Sequence, residues 1–408
     1  MTTPGKDAVG ARAPESVSFP AAAPAPKPVP LLDINRQNHP IKDEINAAMA
    51  AVVESGAFLK GPAVRELEAD VAKLCGADHA VGCASGSDAI LLALMGLGVG
   101  PGDEVILPSF TFFATAGCVS RLGATPVFAD LVPDTFNIDP DDVARRITPK
   151  TKAIMPVHLF GQAADMDALA EVASAHDLPL VEDAAQAIGA THRGRPIGAI
   201  GRVGCLSFYP TKNLGGLGDG GMVTTNDGEL AETIRVLCDH GQRPRYHHHL
   251  VGLNSRLDTV QAAALGVKLR HLSDYAAGRT RHAKRYEAEI GSGVCESAIV
   301  TPREATGCPS VWNQYTVRVK DGRRGDLQEW LAERKIGAAI YYPIPLHLQD
   351  CFQELGYKPG DLPHSERAAG EVLSLPVFPE LAYDEQTRVI EAVQGFAAAG
   401  ARPRRLAA

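Results

Sequence analysis

The chain has 408 residues, 45% of them hydrophobic and 22% charged, which is enough for a large core and more than one domain. A formal net charge of -8 argues against nucleic acid as the main partner, because phosphate-backbone binding needs concentrated Lys and Arg. It stays compatible with a phosphorylated small molecule held in a locally positive pocket. Eight cysteines, at 75, 83, 118, 205, 238, 295, 308 and 351, form no CxxC pair and no metal-finger spacing, the pattern of reduced thiols in a cytoplasmic protein.

The first thirty residues lack a continuous apolar stretch behind a basic start, Asp7 and Glu15 interrupting them, so no signal peptide is expected. No run of about twenty apolar residues offers a membrane span. The fragment PAAAPAPKPVP, from Pro20 to Pro30, reads as an extended, solvated arm that catalysis does not need.

Folding signals begin near Leu31. A helix starts at Ile41, with apolar positions at Ile45, Met49, Val52 and Val53, and Gly56 stops it. A second runs from about Pro62 to Leu74 and ends at Gly76. HAVGCASGSDAI passes from a short apolar segment through glycine into a helix ending near Met95. DEVILPSFTF, TPVFADL and KAIMPVHLFG read as strands, MDALAEVASAH as a helix, and LPLVEDAA, VGCLSFYP and GGMVTTND as further strands. Compact apolar runs flanked by helices imply an α/β fold with a mostly parallel sheet covered on both faces.

From about Asp258 a long helical pattern, DTVQAAALGVKLRHLSDYAAGRTRHAKRYEAEI, is able to cross between domains. Beyond Gly293 come the strand-like WNQYTVRV, the helix DLQEWLAERK, the strand-like AAIYYPIP and a last helix over about Asp384 to Ala399, together a smaller α+β domain. The expected division is an arm over 1–30, a large domain over 31–275 and a small domain over 276–408.

Three constellations carry chemistry. Ala84-Ser85-Gly86-Ser87-Asp88 stands at a strand-to-helix junction, where amides, hydroxyls and glycine suit either an anion site or a Ser-capped helix. No GxxxxGK[ST] occurs, and no GxGxxG follows the first strand. Glu182-Asp183-Ala184-Ala185-Gln186 ends an apolar strand. Asp183 there either points into the ligand crevice or caps the next helix; in the crevice it would keep a heterocyclic nitrogen protonated. Ser207-Phe208-Tyr209-Pro210-Thr211-Lys212-Asn213-Leu214 runs into GGLGDGG and isolates one lysine among apolar, hydroxyl and glycine residues. Lys212 is either a surface-loop lysine or a desolvated amine nucleophile. In this order along one α/β domain, the three supply a phosphate cradle, a ring-nitrogen partner and an amine, the groups that hold pyridoxal phosphate.

Several segments together resemble the sugar-nucleotide aminotransferases of the DegT/StrS type, a branch of the fold type I pyridoxal-phosphate enzymes: FLKGPAVRELE, ASGSDA, PSFTFFATA, VEDAAQAIGA, SFYPTKNLGGLGDGG, HGQ…YHH…GLNSRLDTVQAA and YYPIPLHLQ. The resemblance spans nearly everything from Leu31 onward. It implies a large cofactor domain and a smaller C-terminal domain, with Lys212 as the Schiff-base lysine and proton carrier and Asp183 as partner of the pyridine nitrogen. It places Gln186 near the cofactor's phenolic oxygen and Phe112 on its ring. Gly86, Ser87 and Ser207 become phosphate ligands, and Asn254 a phosphate ligand reaching in from a neighbouring subunit, which implies a homodimer with shared sites. Ser87 replaces the threonine often found there but keeps a hydroxyl.

Related sugar 3-dehydratases resemble these enzymes with histidine at the lysine position, so Lys212 favours transamination. Arg256 would meet the donor carboxylate, the nucleotide diphosphate or a sugar carboxylate, or else form a structural ion pair. Tyr342 and His347 resemble residues lining the sugar pocket. His247-His248-His249 lacks supporting carboxylate spacing, and no metal is expected. The implied reaction moves an amino group from L-glutamate to a nucleotide-linked keto-sugar. C3 is the expected position, on a UDP-3-keto-uronate or a dTDP-3-keto-6-deoxyhexose; C4 and free keto-inositol are the alternatives. A non-catalytic sensor or scaffold that keeps the fold is the reading from a different class, and no helix-turn-helix signal accompanies it.

Overall fold

The computed structural model describes residues 1–2 and 27–400; the expectation for the proline-rich arm falls largely outside them. Seven elements build the main sheet: β1 (His79–Cys83), β2 (Glu104–Pro108), β3 (Thr125–Ala129), β4 (Thr151–Ile154), β5 (Val181–Asp183), and, beyond the short hairpin β6 (Thr191–His192) and β7 (Arg195–Pro196), β8 (Val203–Ser207) and β9 (Gly221–Thr225). One part has the order β1-β9-β8-β5 and the other β3-β2-β4. Parallel bridges Ile154–Leu180 and Val157–Asp183 join them edge to edge. Within these ladders β9 alone runs against its neighbours. The carboxyl ends of β1, β2, β5 and β8 therefore open on one edge, where ligands of doubly wound sheets bind.

Both sheet faces are covered, which is why the strands read as continuous apolar runs. On one face lies helix Gly86–Gly96, whose Ile90, Leu92 and Leu94 are buried against helices Ala114–Arg121 and Gly228–Leu237. On the other, Val64, Leu67 and Val71 of helix Pro62–Cys75 pack with Ile188, Phe208, Ala262 and Leu265. Each such Val, Leu, Ile or Phe side chain contributes about 1.5–3 kcal/mol of transfer free energy. Helix ends follow local rules: Asp227 accepts from Glu229 and Leu230 amides at 2.9 and 3.1 Å, and Gly56 and Gly76 close their helices at φ 66° and 65°.

The second core surrounds an antiparallel sheet of β10 (Ile299–Val300), β11 (Tyr315–Val319) and β12 (Val372–Leu375), backed by helices Arg324–Glu333 and Tyr383–Ala399. Val29 belongs to this core, and its backbone bridges to Ile336. The long helical pattern breaks at Arg270 and His271 into Thr259–Leu269 and Leu272–Ile290. The second helix starts in the large core with Leu272 and ends in the small one with Tyr286 and Ile290. AAIYYPIP is not a strand: it makes the single bridge Ala339–Ser374 and then turns toward the sheet edge, where its tyrosines pack on Phe110 and Phe160. Among the described residues no helix is long and apolar enough to cross a membrane.

Candidate active site

The carboxyl edge of the sheet gathers the three constellations. Ser85 takes an extended backbone and caps helix Gly86–Gly96, its hydroxyl accepting from the Asp88 amide at 3.1 Å. The two sequence readings of this segment coexist, because first-turn amides of a helix have no intrahelical partner and stay available to an anion. Gly86 is packed on the end of β8 so closely that a Cβ there would stand 2.5 Å from the Ser207 Cβ and 2.8 Å from its hydroxyl oxygen. Ser87 is exposed, and Ser207 half-buried. Glycine amides and hydroxyls thus meet in a cradle whose size glycine sets.

Asp183 ends β5 and is buried. Its Oδ2 accepts from Thr115 Oγ1 at 2.8 Å and its Oδ1 from the Ala185 amide at 3.2 Å. No helix follows it, so it caps nothing. Burial raises its proton affinity, against the Thr115 and Ala185 hydrogen bonds and the positive charge of Lys212. The adjacent Glu182 points the other way, into a buried pair with His158 Nε2 at 3.0 Å and the amides of Gly198 and Gly201, both at 2.7 Å. That network fixes the strand end.

Lys212 lies on the turn after β8, half-buried, with its amide donating to the Tyr209 carbonyl at 2.9 Å. Burial lowers its proton affinity, and Asp183 opposes that. The turn is tight: Gly216 N–H reaches the Phe208 carbonyl at 2.7 Å, and a Cβ on Gly215 would run into the Pro210 carbonyl. Asn213 locks it from below, donating to Val311 O at 2.8 Å and accepting from Asn313 Nδ2 at 2.8 Å.

Gln186 accepts from the Phe160 amide at 2.8 Å and donates to the Tyr342 hydroxyl at 3.0 Å. The Tyr342 proton is left free for another acceptor, and burial pushes its pKa up, so it stays protonated. Phe112 leaves 55% of its surface open, with its ring 6.2 Å from that of Tyr342. An exposed aromatic face next to Tyr342, which Gln186 holds, suits a flat ring ligand.

The remaining residues lie apart. His347 is 1% exposed, with Nδ1 2.6 Å from Ser109 Oγ and Nε2 3.2 Å from Glu366. Both ring nitrogens are taken, so it stands behind the cleft wall and bears on a ligand only through its neighbours. Arg256 donates to Asp239 at 2.8 Å and to Asn254 Oδ1 at 2.6 Å, while Lys60 meets the other Asp239 oxygen at 2.5 Å. Asn254 is exposed, and its amide nitrogen points to no partner among the described residues. His248 and His249 face the carbonyls of His240 and Arg243 at 2.9 and 2.6 Å. The sequence assigns no role to Thr115 or Asn213. Their signal is there: Thr115 lies in PSFTFFATA beside Thr111, and Asn213 directly follows the lysine.

The buried carboxylate, the partly desolvated amine and the glycine-floored cradle fit pyridoxal phosphate: the cradle would take its phosphate, Asp183 its ring nitrogen and Lys212 its aldehyde carbon. Comparison with known proteins identifies the family. The model of the DegT/DnrJ/EryC1/StrS aminotransferase family matches residues 39–394. The chain is 51% identical to a pleiotropic regulatory protein of Geobacillus stearothermophilus, over 90% of this chain and 98% of that one. It is 46% identical to the dTDP-3-amino-3,4,6-trideoxy-alpha-D-glucose transaminase of Streptomyces venezuelae, over 90% and 96%. Among solved structures, Streptomyces venezuelae DesV in complex with a ketimine intermediate superposes with a TM-score of 0.88 at 46% identity, covering 91% of this chain and 98% of that one. A solved relative thus carries a ketimine intermediate, and the chain belongs to the DegT/DnrJ/EryC1/StrS aminotransferase family.

Proposed function

We propose that this protein is a pyridoxal-phosphate-dependent aminotransferase that moves the amino group of L-glutamate to the keto carbon, at C3, of a nucleoside-diphosphate-linked sugar. The acceptor class is a UDP-3-keto-uronate or a dTDP-3-keto-6-deoxyhexose. The observation that carries this reading is the convergence of Lys212 and Asp183 at the carboxyl edge of β5 and β8, with the Gly86 cradle beside them.

When bound, the cofactor supplies a conjugated electron sink for the charge left when a carbon next to nitrogen loses a proton. The chain's own residues do the rest. The lowered proton affinity of Lys212 eases loss of its proton, so that Nζ would serve first as nucleophile and then as the base that takes a proton and returns it. Asp183 would hold a ring N–H, and its fixed backbone keeps the carboxylate in place. Gln186 is held by the Phe160 amide and Tyr342, and Tyr342 keeps its proton to donate to a substrate oxygen. Phe112 would cover one face of the ring and limit water there.

The proposed assembly is a homodimer in which the exposed Asn254 and its neighbour Arg256 complete the partner's site. Support comes from their place on an outer edge, linked through Asp239 and Lys60 rather than to Lys212 of their own chain. A cytoplasmic setting accords with eight unpaired thiols, seven of them buried. The regulatory name of the 51% identical relative keeps a sensor role as the second reading.

The test is spectroscopic. Glutamate is added to the purified holoenzyme, excess is removed, and nucleotide-linked 3-keto and 4-keto sugars are supplied singly while the cofactor's visible absorbance is followed. Loss with glutamate and return with a 3-keto sugar is the expected result; return only with a 4-keto sugar moves the position. No response to glutamate would favour the sensor.

A further inference from the structure

We infer that Thr115 is a positioning residue for the proposed reaction: its hydroxyl holds the Asp183 carboxylate as an acceptor aimed at the cofactor's ring N–H. The inference rests on the reading of this site as a pyridoxal phosphate cradle. Thr115 is fully buried in the first turn of helix Ala114–Arg121, its Oγ1 2.8 Å from Asp183 Oδ2. An ionised carboxylate only accepts, so the hydroxyl proton is committed to it. Thr111 Oγ1 lies 3.3 Å from Thr115 Oγ1 and must then be the donor of that pair. A directed chain Thr111 to Thr115 to Asp183 results, and both threonines are buried.

The Asp183 main chain is held independently. Its amide donates to Pro156 O at 2.9 Å and its carbonyl accepts from the His158 amide at 3.0 Å. Only the side-chain rotation is left to set, and two donors set it: Ala185 N–H on Oδ1 and Thr115 on Oδ2.

The hydroxyl also decides where a proton resides. Burial favours the protonated acid, while Thr115, Ala185, Lys212 and His158 favour the carboxylate. The other titratable groups facing Asp183 are the Cys118 and Cys205 thiols and the Tyr342 phenol, all pushed up by burial and therefore neutral. Without Thr115, Oδ2 loses its donor in a dry site and becomes the better base. A proton on the ring nitrogen then moves to Oδ2, with no other bond changed, and the ring becomes a weaker electron sink.

The experiment compares wild type, Thr115→Val and Thr115→Ser as holoenzymes loaded with pyridoxal phosphate labelled with ¹⁵N at the ring. In wild type the ring-nitrogen resonance is expected at the protonated position. Thr115→Val should displace it toward the unprotonated position and slow the glutamate half-reaction about tenfold to a hundredfold, the range for a hydrogen bond to a charged group, with KM within about twofold. Thr115→Ser should restore both. An unmoved resonance in Thr115→Val overturns the inference while leaving the cofactor site standing. Failure of wild type to bind the cofactor removes both together. If Thr115→Val does not fold, Thr115→Ala, which removes the same hydroxyl from Asp183 Oδ2, takes its place, and an unmoved resonance there overturns the inference equally.

Discussion

Lys212 places function and stability in opposition. Burial lowers its proton affinity, so the unfolded chain binds that proton more tightly than the folded one. Stability then rises with pH between the lowered value and the ordinary 10.5, and below that window the charged amine carries its full desolvation penalty. Replacing it with an apolar chain of similar length removes the penalty. Cofactor-free Lys212→Met is expected to melt roughly 1–3 °C above cofactor-free wild type at pH 7, with the difference shrinking toward pH 10.5. The same variant should have no transaminase turnover. Calorimetry of the two apoproteins at several pH values checks the first part, and the spectroscopic assay the second; a variant that melts lower at pH 7 would refute the burial argument.

At the scale of elements, the small domain is tied to the sheet by a cap supplied from a distance. Asp130, just beyond β3, accepts from His364 N at 3.0 Å and from Ser365 N and Oγ, both at 2.7 Å, at the start of helix Pro363–Glu371. Leu362 at the cap position has no side-chain oxygen to offer, so the carboxylate of another element satisfies those amides and favours the positive end of the helix. Asp130→Ala should cost about 1–3 kcal/mol in urea unfolding, because it strips three donors of one charged acceptor. Asp130→Asn keeps an oxygen and should cost less. Equal losses in the two variants would mean that packing, not capping, holds this helix. Glu366, which faces His347, lies on the same helix, so the cap also steadies the wall behind the cleft.

For the whole molecule, the N-terminal segment is where chain order and spatial order part. Val29 is 1% exposed in the small-domain core, and Arg36 makes a two-pronged pair with Glu385 at 2.6 and 2.8 Å. The last helix is thereby clamped to a segment some 349 positions earlier in the chain. Removal of residues 1–26 spares these contacts and is expected to leave turnover and melting unchanged. Removal through residue 38 deletes both, with a loss of at least about 1.5–3 kcal/mol from Val29 burial alone. Parallel melts of the two truncations decide it: comparable destabilisation would assign the proline-rich arm a structural part.

The sequence by itself determined the class of fold and which strand ends carry the groups gathered in the cleft. Runs such as LPLVEDAA and VGCLSFYP are legible because strands buried on both faces need apolar side chains at every position. Gly86, Asp183 and Lys212 are legible because each stands at a strand end, where local sequence dictates both the turn and the group presented. Tertiary structure alone decided the rest. The reversed direction of β9, the break at Arg270, and AAIYYPIP as a non-strand depend on which neighbours offer hydrogen bonds, and local propensity does not encode that. The same holds for side chains: His347 reads as a pocket residue until Ser109 and Glu366 take both its nitrogens, and Arg256 pairs with an aspartate 17 positions away. Thr115 meets Asp183 across 68 positions of chain. Sequence specifies what each strand end carries; only packing determines which carboxylate, hydroxyl and amine share one dry space, where burial and mutual charge shift their proton affinities.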